Sequence, residues 1–133
     1  MKRLLTITIS LVMSLVLLNL SGCGSPYNSS YSAFLLVSNE TPKSSFMSFD
    51  TFKGRDVFNM SASEGEKLVY TASLDEGSVT VYYDNDGTKT ELFTINGGET
   101  ISNELLNLKG GKLYIIVESN DKVKGGRFNF DVE

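Results

Sequence analysis

Residues 67–74 read Lys67-Leu68-Val69-Tyr70-Thr71-Ala72-Ser73-Leu74. Apolar side chains occupy every second position of this stretch, and mostly polar ones stand between them. Because successive side chains of a β-strand point to opposite faces of its sheet, a period of two predicts a strand with one buried face. We therefore expect a β-sheet to organise this chain.

Similar short runs lie on both sides of this strand, within residues 33–37, 57–62, 79–83, 92–93, 113–117 and 128–132. Glycines stand between the runs, where backbone with a positive φ costs least: Gly65, Gly77, Gly87, Gly97, Gly98, Gly110, Gly111, Gly125 and Gly126. Short strands at such intervals predict an all-β domain in which two antiparallel sheets pack as a β-sandwich.

Two local features are less regular. Residues 103–108 are the best candidate for a helical turn, although they are too few for more than one or two turns. In the hairpin around Asp84, an even-length turn places Val79 and Val81 on the face of Leu92, whereas an odd one brings Phe93 to that face. The sequence leaves both registers open.

The start of the chain has the pattern of a secretory signal. Lys2 and Arg3 precede an apolar run from Leu4 to Leu20. Polar residues interrupt this run, and it is shorter than the roughly 20 apolar residues that span a bilayer core, so a cleaved signal peptide fits better than a membrane span. An ordinary secretory signal would leave the single cysteine that follows unexplained.

Leu20, Ser21, Gly22 and Cys23 resemble the bacterial lipobox, in which an aliphatic residue and two small residues precede a cysteine. The resemblance implies that the Cys23 thiol carries a diacylglycerol, that the signal is cut before Cys23, and that the new amino group is acylated. Two or more acyl chains hold a protein durably at a membrane. We expect a protein anchored by lipid at the extracytoplasmic face of the cell membrane.

This interpretation divides the chain into three parts: a cleaved lipoprotein signal peptide over 1–22, the lipidated cysteine with a flexible tether over 23–32, and a β-sandwich domain over 33–133. The tether is assigned from its Gly, Ser, Pro, Asn and Tyr content, which offers little apolar surface to bury. We interpret Ser29, Ser30 and Ser32 as linker residues rather than nucleophiles.

The charge balance limits the partners. The chain has 12 basic and 16 acidic residues, a net charge of −4. A mildly acidic chain disfavours nucleic acid and gives no polybasic contact with anionic lipid, because both need clustered Lys and Arg. The expected partners are the membrane, through the lipid, and an envelope protein or a wall polysaccharide.

The inventory of reactive groups argues against catalysis. The chain contains no histidine and one cysteine, so it has no Ser-His or Cys-His pair, no imidazole ligand for zinc, and no free thiol once Cys23 is lipidated. We predict a protein without enzymatic activity and without a cofactor.

Three groups of residues are weak candidates for binding. Asp84 and Asp86, with Glu91 as a further donor, offer oxygens to calcium, although a plain Asp-Gly hairpin turn explains them better. Tyr82 and Tyr83 are adjacent on a strand, so one ring faces the core and the other either stacks on a sugar or covers neighbouring strands. A basic group is formed by Lys122, Lys124 and Arg127 on a glycine-rich hairpin. It either contacts an acidic wall polymer or is simply solvated, and the solvated turn is the commoner case.

The order of motifs over residues 49–132 is similar to that of small lipoproteins of low-GC Gram-positive bacteria. More distantly, it is similar to bacterial pre-peptidase C-terminal domains. The similarity lies in turn glycines and alternating core residues, within residues 57–60, 64–70, 76–81, 86–87, 111–117 and 124–130. It implies a jelly-roll-like β-sandwich with no catalytic role. We expect a non-catalytic binding or interaction module at the cell surface; the alternative is a structural or accessory subunit of an envelope enzyme or transporter.

The anchor gives a first prediction. A Cys23→Ala variant lacks the thiol that accepts the lipid, so we expect it in the soluble fraction or retained as an uncut precursor. Cell fractionation with mass spectrometry of the N-terminal peptide measures this. A fully processed Cys23→Ala protein in the membrane fraction would contradict the lipid assignment.

Overall fold

The computed structural model describes residues 26–133 of the 133-residue chain. The predicted signal peptide over 1–22 and the lipobox Leu20–Cys23 lie outside these residues. The described part contains eight strands, all paired antiparallel: β1 (Ser30–Phe34), β2 (Val37–Glu40), β3 (Ser44–Ala62), β4 (Leu68–Glu76), β5 (Ser78–Asp84), β6 (Thr90–Asn96), β7 (Thr100–Leu105) and β8 (Gly111–Val132). Between residues 26 and 133 there is no helix with the length and hydropathy to cross a bilayer.

The two long strands, β3 and β8, pair with each other along most of their length and divide into halves that belong to different layers. Sheet I has the order β2, first half of β3, second half of β8, β4, β7. Sheet II has the order second half of β3, first half of β8, β5, β6. This is the strand order of a jelly roll. The predicted all-β fold, a two-sheet antiparallel sandwich, is confirmed.

Aromatic side chains fill the space between the sheets. Tyr70 of sheet I stacks on Phe93 of sheet II with 5.2 Å between ring centroids. Phe58 of sheet II lies 6.3 Å from Phe130 of sheet I. The inward residues of the strand quoted at the start, including Tyr70, are buried as predicted. Each such large side chain stabilises the fold by about 1.5–3 kcal/mol through loss of exposed apolar surface.

Both long strands bend at the same place. Phe52 of β3 lies opposite Val123 of β8, and Gly54 lies opposite Ser119. Between these two pairs β8 has three residues and β3 has only one. Gly54 has a φ of 120°. A Cβ atom on Gly54 would lie 2.4 Å from the carbonyl oxygen of Ser30 in β1. Only glycine fits a backbone that both takes this angle and touches a neighbouring strand.

The prediction of a turn at Gly125 and Gly126 is wrong, because both glycines lie inside β8. The ring of Phe49, on the partner strand, covers Gly126. A Cβ atom on Gly126 would lie 2.2 Å from the Cζ of Phe49. The glycine therefore makes room for an aromatic ring of the neighbouring strand rather than reversing the chain. The other predicted glycine turns, from Gly65 to Gly110, lie between strands and are confirmed.

The helical turn predicted over residues 103–108 is also wrong. β7 continues to Leu105, and the residues after it have no regular structure. Leu108 is 2% exposed and belongs to the core. Its backbone bonds run to the β3–β4 turn, with its N–H donating to Glu66 and its carbonyl accepting from Gly65. Contacts with a distant turn thus replace the local bonds of a helix.

The open register of the β5–β6 hairpin is now assigned. Val79 lies opposite Ile95 and Val81 opposite Phe93, and the register shifts after Val81 so that Tyr82 pairs with Glu91. Leu92 is the extra residue of the resulting bulge. The alternative with Phe93 on the core face is therefore the one that occurs.

The folded domain begins earlier than the predicted boundary at residue 33. Ser30 and Ser32 belong to β1 and pair with β3, so the tether assignment is wrong for them. Ser29 also contacts the fold, since its hydroxyl accepts a bond of 2.9 Å from the N–H of Val57. The prediction from composition failed here because this segment is held by backbone hydrogen bonds and not by buried apolar side chains.

The bend gives a stability prediction. We expect Gly54→Ala to lower the free energy of unfolding by about 3 kcal/mol, because the left-handed backbone angle and the overlap with β1 each add about 1–3 kcal/mol. Gly87→Ala is the matched control: Gly87 has a φ of 97° but no atom within 4 Å of an added Cβ. Its loss should be about 1–2 kcal/mol. Urea unfolding measures both, and equal losses would contradict the role of the close contact.

Candidate functional site

A polar groove crosses the outer face of sheet II beside the bend. Two adjoining hollows of about 370 and 410 Å³ form it, and both are lined by Glu118, Ser119 and Asn120. We call them together the sheet II groove. Its other lining residues are Gly77, Ser78, Thr80, Tyr82 and Asp121 in one hollow, and Asn28, Ser30, Gly54, Arg55 and Lys89 in the other.

Strand alternation and the bend explain why these side chains meet. Val79 and Val81 point into the core, so Thr80 and Tyr82 point outward from β5. The neighbouring strand β8 places Glu118 opposite Thr80. Ser119 still pairs with Gly54, and the residues after it pass the bend without partners on β3 and form one wall. Asn28 and Ser30 form the other wall.

One carboxylate organises the charges of the groove. Glu118 Oε1 lies 2.6 Å from Arg55 Nη2 and 3.1 Å from Lys89 Nζ. Burial raises the pKa of Glu118, but the hydrogen bonds from Lys89 and Arg55 outweigh it, so that the pKa is below its ordinary value. Two cations on one anion leave this cluster with a net positive charge.

Tyr82 and Tyr83 lie in different environments. Tyr83 packs against the core, whereas Tyr82 lines the groove. Lys89 Nζ lies 4.3 Å from the centroid of the Tyr82 ring, a cation–π contact. The structure thus brings the predicted tyrosine together with three charged residues that the sequence analysis did not select. Binding by Tyr82 stays a prediction.

Asp84 and Asp86 serve the hairpin turn. Asp84 is 5% exposed. Its Oδ1 accepts from the N–H of Gly87 at 2.7 Å, and its Oδ2 accepts from the hydroxyl of Tyr27 at 2.6 Å. Asp86 accepts from the N–H of Thr88. Within residues 26–133, no group of three or more His, Cys, Asp or Glu is arranged to hold a metal ion.

Tyr27 holds the N-terminal segment on the outer face of sheet II. Besides its bond to Asp84, its ring packs edge-on against Tyr114 with 5.6 Å between centroids. The hydrogen bond to Asp84, followed by burial and the negative charge of Asp84, raises the pKa of Tyr27 to about 12. The neutral phenol is therefore the form that donates to Asp84 at physiological pH.

Asp56 is a buried carboxylate that sequence analysis missed. It is 8% exposed, and its Oδ1 accepts from the Ser29 hydroxyl at 3.1 Å and from the N–H of Val57 at 3.0 Å. Burial raises its pKa, although these two bonds oppose the shift. Alternation marks Asp56 as an inward position, but nothing local indicates Ser29 as its partner.

The predicted basic group is dispersed. Lys122 shares a hollow with Phe34 and Lys53, and Lys124 lies 3.8 Å from Glu76. Arg127 lies on the outer face of sheet I, opposite Ser48. These cations lie within the bent strand β8 and not on a hairpin, and they do not line the sheet II groove.

The groove presents several kinds of hydrogen-bonding group. It offers amides from Asn28 and Asn120, cations from Arg55 and Lys89, and hydroxyls from serine and threonine. The Ser119 hydroxyl donates to the carbonyl of Asp121. In a chain without histidine, these hydroxyls have no imidazole base to activate them.

No protein-family model matches the chain, and no curated protein matches it. Among solved structures, it is similar to PliG of Salmonella Typhimurium, a periplasmic inhibitor of g-type lysozyme (17% identity, 71% of this chain and 94% of that one, TM-score 0.46). It is also similar to a mutant carbohydrate-binding module of family 29 (15%, 82% and 82%, 0.41) and to a family 61 module in complex with β-1,4-galactotriose (15%, 82% and 85%, 0.44). At these values the likeness assigns no function to the chain.

The charge cluster gives a pH prediction. Glu118→Gln removes the anion between Arg55 and Lys89, and we expect a loss of about 0.5–1 kcal/mol at neutral pH, as for partly exposed ion pairs. Because the folded-state pKa of Glu118 is lowered, its contribution is complete above the ordinary carboxyl pKa and disappears as the pH falls through the lowered value.

Urea unfolding of both proteins at neutral pH and at about pH 3 tests this, since the two midpoints should converge in acid. A difference that stays constant across this range would show that the charge of Glu118 is not the cause.

Proposed function

We propose that this chain is a lipid-anchored, extracytoplasmic, non-catalytic module that binds a saccharide of the cell envelope in the sheet II groove. The observation that carries the proposal is the placement of the Tyr82 ring within a groove whose other walls are polar. The lone cysteine at the end of a signal-like segment supports the anchor at Cys23.

The chemistry of the groove favours a ligand rich in hydroxyl groups. A hydroxyl both donates and accepts hydrogen bonds. It therefore suits a surface that presents carboxylate acceptors, Glu118 and Asp121, beside the amide groups of Asn28 and Asn120. An apolar ligand would leave these groups desolvated without partners, which costs free energy.

Tyr82 adds an apolar surface to this polar setting. The faces of a sugar ring carry C–H groups, and an aromatic side chain offers them a flat contact while its hydroxyl stays wet. Lys89 lies over the Tyr82 ring and is also bound to Glu118. A ligand that replaces Lys89 on the ring leaves that lysine its carboxylate partner.

The proposal of a non-catalytic role is supported by the inventory of the chain. Histidine is absent from the sequence. Of the two buried carboxylates among residues 26–133, Asp56 accepts from Ser29 and Asp84 accepts from Tyr27 and Gly87. Both carboxylates thus serve the fold, and neither lines the groove.

Binding to immobilised envelope polysaccharide tests the proposal. We expect the full chain in detergent micelles to be retained, and Tyr82→Ala to bind about tenfold more weakly, since an aromatic contact worth about 1.4 kcal/mol is lost. Phe46→Ala is the control, because Phe46 is an aromatic on the outer face of sheet I.

Equal weakening by the two substitutions would place the site elsewhere. No retention of the unmodified protein on any envelope polysaccharide would overturn the proposal. Co-purification of one stoichiometric envelope protein would then favour the alternative of an accessory subunit.

A further inference from the structure

The turn between β1 and β2 exposes an unusual amount of apolar surface. Four of the five large apolar side chains that are markedly exposed among residues 26–133 lie close together in sequence: Tyr31 (44%), Phe34 (59%), Leu35 (68%) and Val37 (60%). The fifth, Leu106, is far away in the chain. Clustered apolar exposure marks an interaction surface more often than scattered exposure does.

Leu35, in the same turn, also has an unusual backbone conformation. Its φ is 52°, one of two positive values among the non-glycine residues described. Leucine is poorly suited to the left-handed region, where glycine or asparagine is favoured. A residue that is both exposed and conformationally unfavourable contributes little to the fold itself, and such positions tend to serve function.

The chain before the fold is short. Tyr27 is held by Asp84 and Tyr114, so the backbone takes four Cα-to-Cα steps from the proposed lipid attachment at Cys23 to a fixed point on sheet II. Fully extended, they reach about 14 Å, which is close to the radius of gyration of about 13 Å expected for a domain of this size. A domain held this closely has part of its own surface at the bilayer.

Basic side chains flank the exposed turn. Lys53 and Lys122 share a hollow with Phe34, and Arg127 lies in a second hollow with Leu35, where Asp75 offsets part of its charge. Apolar side chains with single flanking cations suit the boundary between acyl chains and headgroups, and these cations do not form the polybasic cluster that would hold a protein at anionic lipid by charge alone.

We propose that the turn formed by Phe34, Leu35 and Val37 inserts into the surface of the bilayer that holds the lipid anchor. This proposal rests on the anchor at Cys23 that belongs to the proposed function. The turn acts as a second membrane contact, which fixes the orientation of the domain that the acyl chains alone leave free.

Tryptophan fluorescence tests this, because the chain has no tryptophan. We expect Phe34→Trp, in the full lipidated chain reconstituted in vesicles of phosphatidylglycerol and brominated phosphatidylcholine, to shift its emission by about 10 nm to the blue and to lose about half its intensity. This follows from burial 5–10 Å into the headgroup and acyl boundary. Ser102→Trp is the control, since Ser102 is exposed on β7, at the edge of sheet I opposite β2, and it should show neither change.

Val37→Trp serves as a second reporter if Phe34→Trp does not fold. Equal quenching of the turn and control reporters, or none at either, would overturn the insertion. So would a dimer in which the turn reporter is shielded from the brominated lipid. Mass spectrometry of the same sample separates the two proposals: Cys23 without acyl groups overturns the anchor and the insertion together, whereas a lipidated chain with an unquenched turn overturns the insertion alone.

Discussion

The pairing of β3 with β8 is the constraint on which the remaining structure depends. Each strand is too long to stay in one layer, and the pair bends where Gly54 lets β1 approach the backbone of β3. The bend makes one two-stranded ribbon part of both sheets. β4 and β7 then extend one layer from β8, and β5 and β6 extend the other. A side chain at Gly54 would disturb both layers at once.

The same bend creates the candidate site. Glu118 is the last outward residue of β8 before the ribbon turns, and the residues that follow it form a wall of the groove. The N-terminal segment supplies the opposite wall through Asn28 and Ser30. Because Tyr27 and Ser29 hold that segment on sheet II and its edge, the groove is assembled from distant parts of the chain.

Local alternation was enough to predict an all-β sandwich but not its long strands. In β3, the buried residues Met47 and Phe49 have odd numbers, whereas Phe52 and Phe58 have even ones. In β8, Ile115 and Phe128 differ in the same way. A change of parity in sequence usually marks a new strand, and here it marks a bend within one. The site was harder to predict, because Arg55 and Glu118 are 63 residues apart in the sequence and no local pattern indicates that they meet. Only the outward position of Tyr82 follows from the alternation of its neighbours in the strand.

The position of β8 in the chain also sets the order of folding events. β8 is the last of the eight strands, and it is the shared partner of β3, β4 and β5. Contacts between residues so distant in sequence form slowly, since a long loop must close first. A chain synthesised from its N-terminus therefore cannot complete either sheet until residues 111–132 are available. A product of premature termination upstream of them leaves β3, β4 and β5 each without one of its two sheet neighbours, and their exposed edges are open to proteolysis.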